Sequence, residues 1–282
     1  MSGFAWSQQT RTAPSFNVVN FSPADLRSIP GVVGAVAFGR FAARDYQVHP
    51  GDFIPPIGTR TGTPVSTGIH DIYFSLILPS GAPPANGSPV VIAGHGGGGS
   101  KEGFTLGVAS PLAGLLAQRG IATIAINGVG HGFGPLGALT VSRTNGDSVA
   151  FPSGGRGFDQ NGDGVIEGRE GIRAAQPRTI IDDADGFRQT VADLMQLVRQ
   201  IEAGVDVDDD ALPDLDPTRI YYVAQSLGGV YGAVFLVLRR SPELTHFCSR
   251  EMTQTETTIC DPDHATRSER AVRSLCVFPG NR

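Results

Sequence analysis

Cysteine is missing from the first 247 residues of this 282-residue chain. Its three cysteines, Cys248, Cys260 and Cys276, all lie in the tail. An odd number cannot pair completely within one chain, and no C-x-x-C spacing marks a zinc site, so the three are read as free thiols. Lysine is nearly absent as well. Lys101 is the only one among 22 Lys and Arg residues, a bias that points to a GC-rich genome. The net charge of -5 offers no basic surface for nucleic acid. No apolar run approaches the roughly 20 residues that span a bilayer. Met1 to Val19 lacks the apolar core of a signal peptide, so the expectation is a protein that stays inside the cell or a piece of a longer chain.

What is present is enough for a sizeable core, with 40% apolar residues. Residues 1–68 read as a loop-rich extension containing one strand-like stretch, Val32 to Phe38. Residues 69–240 carry the regular pattern. Ile72–Leu78, Val90–Ala93, Ile121–Ile126 and Ile220–Val223 are apolar strand runs without a polar face. They alternate with helical spacing, first at Leu112, Leu115 and Leu116 and then at Phe187, Val191, Leu194, Met195, Val198 and Ile201. Strands of this kind, alternating with helices, predict an α/β fold: a mostly parallel sheet with helices on both faces. Residues 128–178 interrupt the rhythm. Leu139–Ser142 and Ser148–Phe151 flank Asn145-Gly146, a hairpin signal. After Arg240 the apolar pattern stops, and 241–282 read as an irregular tail that leaves the sheet incomplete.

Two short motifs carry chemistry. In Tyr221-Tyr222-Val223-Ala224-Gln225-Ser226-Leu227-Gly228-Gly229 a strand run breaks into small residues and becomes a helix. That is the layout of a nucleophile elbow, with Ala224 in place of the first glycine of G-x-S-x-G. The bland alternative is a serine that caps the helix behind it. Upstream, His95-Gly96-Gly97-Gly98-Gly99 follows the strand Val90–Ala93. Glycines there leave backbone N–H groups free to face an oxyanion, with Gly96 or Gly97 and Leu227 as donors. A phosphate cradle would need G-K-[ST], which Ser100-Lys101-Glu102 does not supply. Together the motifs predict a serine hydrolase. Its base and acid should follow Ser226, where His264 and Asp261 are available beside His246, Glu243 and Asp263. His264 follows by only 38 residues, so a solvated tail histidine is the competing reading. His131 reads as a loop-shaping residue.

A third constellation runs from Asp159 to Glu170 and fits D-x-[DN]-x-[DN]-G-x5-E. Asp159, Asn161 and Asp163 stand at positions one, three and five, Val165 and Glu167 at seven and nine, and Glu170 at twelve. Gly164 permits the sharp turn. The expectation is a lone, structural calcium loop, against an acidic surface turn. Asp206 to Asp216 is spaced similarly, but Ala211 stands where glycine belongs, so a solvated turn is expected there.

From about Ile72 to Leu238 these residues resemble the α/β-hydrolase superfamily, and more narrowly bacterial exported lipases and esterases of the virulence-factor lipase type. The likeness rests on Ile72-Tyr73-Phe74, the His95-Gly96 loop, Gly130-His131-Gly132, the Asp159–Glu170 loop and Gln225-Ser226-Leu227-Gly228-Gly229. It implies hydrolysis of small-molecule or lipid esters through an acyl-serine, and an exported or cell-surface location. Such relatives continue well past the elbow, so the chain is expected to be truncated or frameshifted after it. A catalytically inactive, calcium-binding fragment is the alternative.

Overall fold

The computed structural model describes residues 4–9, 19–21, 32–49, 52–56, 62–105, 112–143, 148–207 and 210–239. Its centre is a five-stranded sheet built from β3 (Val33–Asp45), β4 (Gly68–Pro79), β5 (Ser88–Gly94), β6 (Ala122–Ile126) and β9 (Leu215–Ala224). The spatial order is β3-β4-β6-β5-β9. β5 pairs parallel with both β6 and β9, whereas β4 pairs antiparallel with β3 and β6. Four strands therefore run one way and β4 alone opposes them. The sheet is mixed at its pairings although mostly parallel in strand direction.

β5 and β6 are buried at every position, as strands covered on both faces must be. The period of two divides their side chains between two cores. Val90, Ile92, Ile124, Ile220 and Tyr222 face one way, against Val191, Leu194, Val198 and Ile201 of α3 (Ala184–Ala203) and Tyr231 and Phe235 of α4 (Leu227–Arg239). Val91, Ala93, Ala125, Tyr221 and Val223 face the other way. They meet Phe104 of α1 (Lys101–Thr105) and Leu112 and Leu116 of α2 (Leu112–Ala117). The helices stand on both faces. Gly120, with φ +72, ends the α2 segment by donating its N–H to the Ala117 carbonyl.

The segment read as an N-terminal extension contributes more than one short strand. β3 extends to Asp45 and pairs with β4 from Val33↔Pro79 to Asp45↔Gly68, so the sheet draws on residues on both sides of position 68. Arginine, glycine and charged residues within β3 hide its period from a hydropathy reading. A second, four-stranded sheet has the order β2-β1-β7-β8, from β1 (Phe4–Gln9), β2 (Val19–Phe21), β7 (Ala138–Arg143) and β8 (Ser148–Pro152). β7 and β8 pair antiparallel, with Leu139 opposite Phe151. The Asn145-Gly146 turn between them lies outside the described residues, as does the whole of 241–282 with its three cysteines. Among the described residues no helix is long and apolar enough to cross a membrane.

The only lysine in the chain is buried. Lys101 is 2% exposed, forms an ion pair with Glu102 (1% exposed) and donates from Nζ to the Ser153 carbonyl at 2.6 Å. Glu102 also accepts from Ser75 Oγ at 3.4 Å. The pair links the start of α1 to β4 and to the segment after β8. Removing one member of a buried pair strands the other, at a cost of about 3–5 kcal/mol. Lys101→Met is therefore expected to lower the unfolding free energy by that order, whereas the double change Lys101→Met, Glu102→Leu should recover part of the loss. Urea unfolding of the three proteins measures both.

Candidate active site

Ser226 follows β9 by two residues and precedes α4 by one. Its φ is +47, a left-handed conformation that few non-glycine residues adopt, and its side chain is exposed. The turn is fixed by backbone bonds on both sides. The Gln225 N–H donates to the Gly94 carbonyl at 3.0 Å, and Gly228 and Gly229 donate to Gln225 and Ser226 at 2.9 and 2.8 Å. The helix enters so close to β5 that a Cβ on Gly228 would lie 2.4 Å from the Gly94 oxygen and 2.9 Å from the His95 oxygen. Only glycine fits there.

Two buried tyrosines lock this approach. Tyr222 donates its hydroxyl to the Gly228 carbonyl at 2.8 Å, and Tyr231 donates to the His95 carbonyl at 3.1 Å. Burial raises the pKa of both phenols, so both remain donors. The Tyr222 ring occupies the space a side chain on Gly94 or Gly232 would need, with Cζ 3.0 and 2.7 Å from where their respective Cβ atoms would lie. One strand, the glycine loop and the helix after Ser226 are thus joined at a single point.

The glycine loop lies beside the serine. A Cβ on Gly96 would be 3.5 Å from Ser226 Cβ, and one on Gly97 would be 3.7 Å from Leu227 Cδ2. The Gly96 carbonyl is turned inward, accepting from His95 Nδ1 at 2.9 Å and from the Gly99 N–H at 3.1 Å. In a trans peptide the N–H opposes the carbonyl, so the Gly97 N–H is directed away from His95. Neither the Gly97 nor the Leu227 N–H donates to a described backbone carbonyl outside the regular elements. The residues expected as oxyanion donors, Gly96, Gly97 and Leu227, are therefore neighbours of Ser226. His264 and Asp261 lie outside the described residues.

The described histidines near the loop are structural. His95 is 1% exposed and uses both ring nitrogens, with Nε2 accepting the Gly128 N–H at 3.0 Å. Burial, with His131 adding to it, holds its pKa down to about 3. His131, also buried, gives Nδ1–H to the Val129 carbonyl at 2.8 Å, while its Nε2 has no partner among the described residues. Burial lowers its pKa too. Their rings lie 5.0 Å apart, so two neutral imidazoles share one buried site.

The Asp159–Glu170 loop is wound by its own carboxylates. Asp159 accepts the N–H groups of Gly162, Asp163 and Gly164 at 2.7, 3.1 and 2.8 Å. Glu170 reaches back to those of Gln160, Asn161 and Glu167 at 2.8, 3.1 and 3.0 Å. Asp163 accepts from Val165 at 2.8 Å. Gly162 and Gly164 take φ +78 and +86. The donors are all oxygens, the chemistry a hard cation takes. Among the described residues no three His, Cys, Asp or Glu side chains converge as a metal centre. The other acidic stretch is a turn of the same kind, in which Asp206 accepts the Ala211 N–H at 2.9 Å and Ala211 takes φ +68.

Sequence reading missed a polar cluster at the carboxyl end of β3 and the start of β4. His49 bridges Asp45 at 3.0 Å and Asp52 at 2.6 Å. His70 meets Asp193 at 3.1 Å, and Asp193 also accepts from Arg156 at 2.7 Å and Gln189 at 2.9 Å. Asp45, His49 and Asp52 are close in sequence, but His70, Arg156, Gln189 and Asp193 come from separate segments that only the fold brings together.

No family model matches the chain, and no curated protein matches it. Solved structures match it only at low similarity. One is a cold-adapted esterase from an Arctic intertidal metagenomic library, 19% identical, aligned over 62% of this chain and 53% of that one with a TM-score of 0.35. Others are an acetyl xylan esterase from Paenibacillus sp. R4 (19% identical, 60% and 41% covered, TM-score 0.36) and a thermostable esterase from Pseudomonas putida ECU1011 (14%, 79% and 48%, TM-score 0.37). The chain spans about half or less of the length of these structures. Likeness this distant assigns no activity.

The Asp45 and Asp52 carboxylates raise the His49 pKa to about 9 from its ordinary 6.5. A raised folded-state value stabilises fully below pH 6.5 and loses that contribution as pH climbs through 9. The urea midpoint is expected to fall between those values, and His49→Gln should remove most of that slope. An equal slope in both proteins would locate the effect elsewhere.

Proposed function

We propose that this chain is a serine hydrolase of carboxylic esters, of the α/β-hydrolase type, with Ser226 as nucleophile. The observation that carries the reading is the positive φ of the exposed Ser226 with Gly96 and Leu227 beside it. A strained serine on a strand-to-helix turn needs a reason, and presenting a hydroxyl next to free N–H groups is one. Ser226 Oγ would attack the ester carbonyl carbon and lose its proton to a base. The oxyanion that forms would be held by the N–H groups of Gly97 and Leu227, with Gly96 as the alternative donor. Collapse of that intermediate breaks the bond to the alcohol, which leaves with the proton, and water then releases the acid from the acyl-serine. His264 with Asp261 is the proposed base and acid. The finer assignment, a bacterial exported lipase or esterase of the virulence-factor type acting on small-molecule or lipid esters, has only the motif resemblance behind it.

Ser226→Ala should abolish hydrolysis of p-nitrophenyl acetate. Equal background rates in the two proteins would remove the enzyme reading and leave a non-catalytic fragment. Because left-handed backbone costs a non-glycine residue about 1–3 kcal/mol, Ser226→Gly should be inactive and yet more stable than the parent. A Ser226→Gly protein that unfolds at lower urea would show that the turn is not strained.

We further propose that Asp159, Asn161, Asp163, Val165, Glu167 and Glu170 bind structural calcium. The order of oxygen donors and the left-handed glycines support it, since Asp159 Oδ2, Asp163 Oδ1 and Glu170 Oε2 each accept one N–H and keep a lone pair, whereas Asp159 Oδ1 and Glu170 Oε1 each accept two. Calcium should raise the melting temperature by mass action, and Asp163→Ala should abolish the rise. Indifference to both calcium and chelator would leave an acidic turn held by its own N–H groups.

A further inference from the structure

The glycine loop is poorly equipped to hold its own shape. Four consecutive glycines carry the largest backbone entropy of any run, and Gly98 is in the left-handed region at φ +75. From below, His95 and Gly99 hold the Gly96 carbonyl, and the Gly132 N–H donates to the Gly99 carbonyl at 3.3 Å. From above, the cover comes from the end of the acidic loop. A Cβ on Gly168 would lie 3.0 Å from Gly98 Cα and 3.2 Å from its oxygen, so these two backbones are in contact. Arg169 lays its aliphatic stem on Gly97, with Cδ and Nε 3.4 and 3.6 Å from where that residue's Cβ would be. The same Gly97 position touches Leu227, the other donor beside Ser226.

Arg169 is itself pinned. Its Nη2 donates to Asp183 at 2.6 Å, and Asp183, 13% exposed, precedes the first residue of α3 and also accepts from Arg173 at 3.2 Å. A rigid 20-residue helix therefore anchors a side chain that presses on the peptide expected to donate to the oxyanion.

We propose that Gly168 and Arg169 are positioning residues for the oxyanion loop, so that the Asp159–Glu170 turn serves catalysis as well as its own closure. The proposal rests on the hydrolase reading for its catalytic consequence but not for its structural one. Oxyanion donors act only at about 2.7–3.1 Å from the developing charge, and loss of one costs on the order of 100-fold in kcat. Arg169→Ala should lower kcat by about 10- to 100-fold with KM within about twofold. Arg169→Lys, which keeps the stem and one charge, should restore most of it. Gly168→Ala should act like Arg169→Ala by displacing Gly98. Melting temperatures should change far less than kcat, because Arg169 is 45% exposed.

Amide hydrogen exchange supplies the readout that needs no activity. Residues 96–99 should exchange faster in full-length Arg169→Ala than in the parent, while β5 and β9 stay unchanged. Unchanged exchange at 96–99 would overturn the proposal, as would a raised KM at constant kcat, which would make Arg169 a substrate contact instead. If the parent and Ser226→Ala both lack activity, the hydrolase reading falls, and hydrogen exchange alone decides the positioning role.

Discussion

The approach of α4 to the end of β5 is the constraint on which the rest depends. Gly228 sits against the Gly94 and His95 carbonyls with no room for a methyl group, and the Gln225 N–H ties the turn to Gly94. Given that contact, Ser226 must take a left-handed backbone, because the chain reverses from strand to helix in two residues. The strain is sustained by what surrounds it. Tyr222 and Tyr231, both buried, bond the Gly228 and His95 carbonyls across this contact. A single close contact thus fixes the serine, the following N–H and the position of the glycine loop at once.

Buried polar groups do a second part of the organising. Loops cannot pack as strands do, and their backbone groups need partners. His95 meets Gly96 and Gly128, Asn127 accepts the Lys101 N–H at 2.8 Å, and Lys101 reaches Ser153. Each of these side chains joins a loop at the carboxyl end of one strand to a loop from another. Such networks are costly unless fully satisfied, which is why the neutral state of His95 matters. A protonated ring would have no acceptor for its second N–H, since Nε2 faces the Gly128 N–H. Desolvation and that geometry act in the same direction.

How much of this was legible in the sequence follows from the range of each signal. β5, β6 and the second half of β9, Ile220–Ala224, are nearly continuous apolar runs, and burial on two faces leaves that mark on local sequence. α3 shows its buried stripe at helical spacing. The elbow and the acidic loop are local too, because small residues and oxygen donors must recur at fixed offsets. β3 was only partly visible, as the half-buried run Ala35–Gly39 and the buried Asp45 hide the alternation that the strand shows from Arg40 onward. The cluster around Asp193 was invisible. Its members come from β4, α3 and the segment after β8, and no local pattern encodes a register between them. Arg169 was hidden for a related reason. Within its loop it stands between Gly168 and Glu170 at a position with no ligand role, and only the fold sets it against Gly97.

The described histidines show why proximity in sequence to a catalytic motif is weak evidence of catalysis. His95 is adjacent to the glycine loop in the chain, yet both its nitrogens are committed to backbone and its pKa is held down to about 3. His49 and His70 are committed to carboxylates at the carboxyl end of β3 and on α3. His131 Nε2 has no partner among the described residues, but burial disfavours the charge a base must accept. A serine at a strained turn beside a glycine loop requires rigid backbone, which the sheet supplies. A catalytic base would require instead a side chain that can carry charge, in contact with Ser226 and with an acid of its own. Those requirements are opposed to the ones that built the described histidines of this sheet, so a catalytic Ser226 would need its proton acceptor from elsewhere.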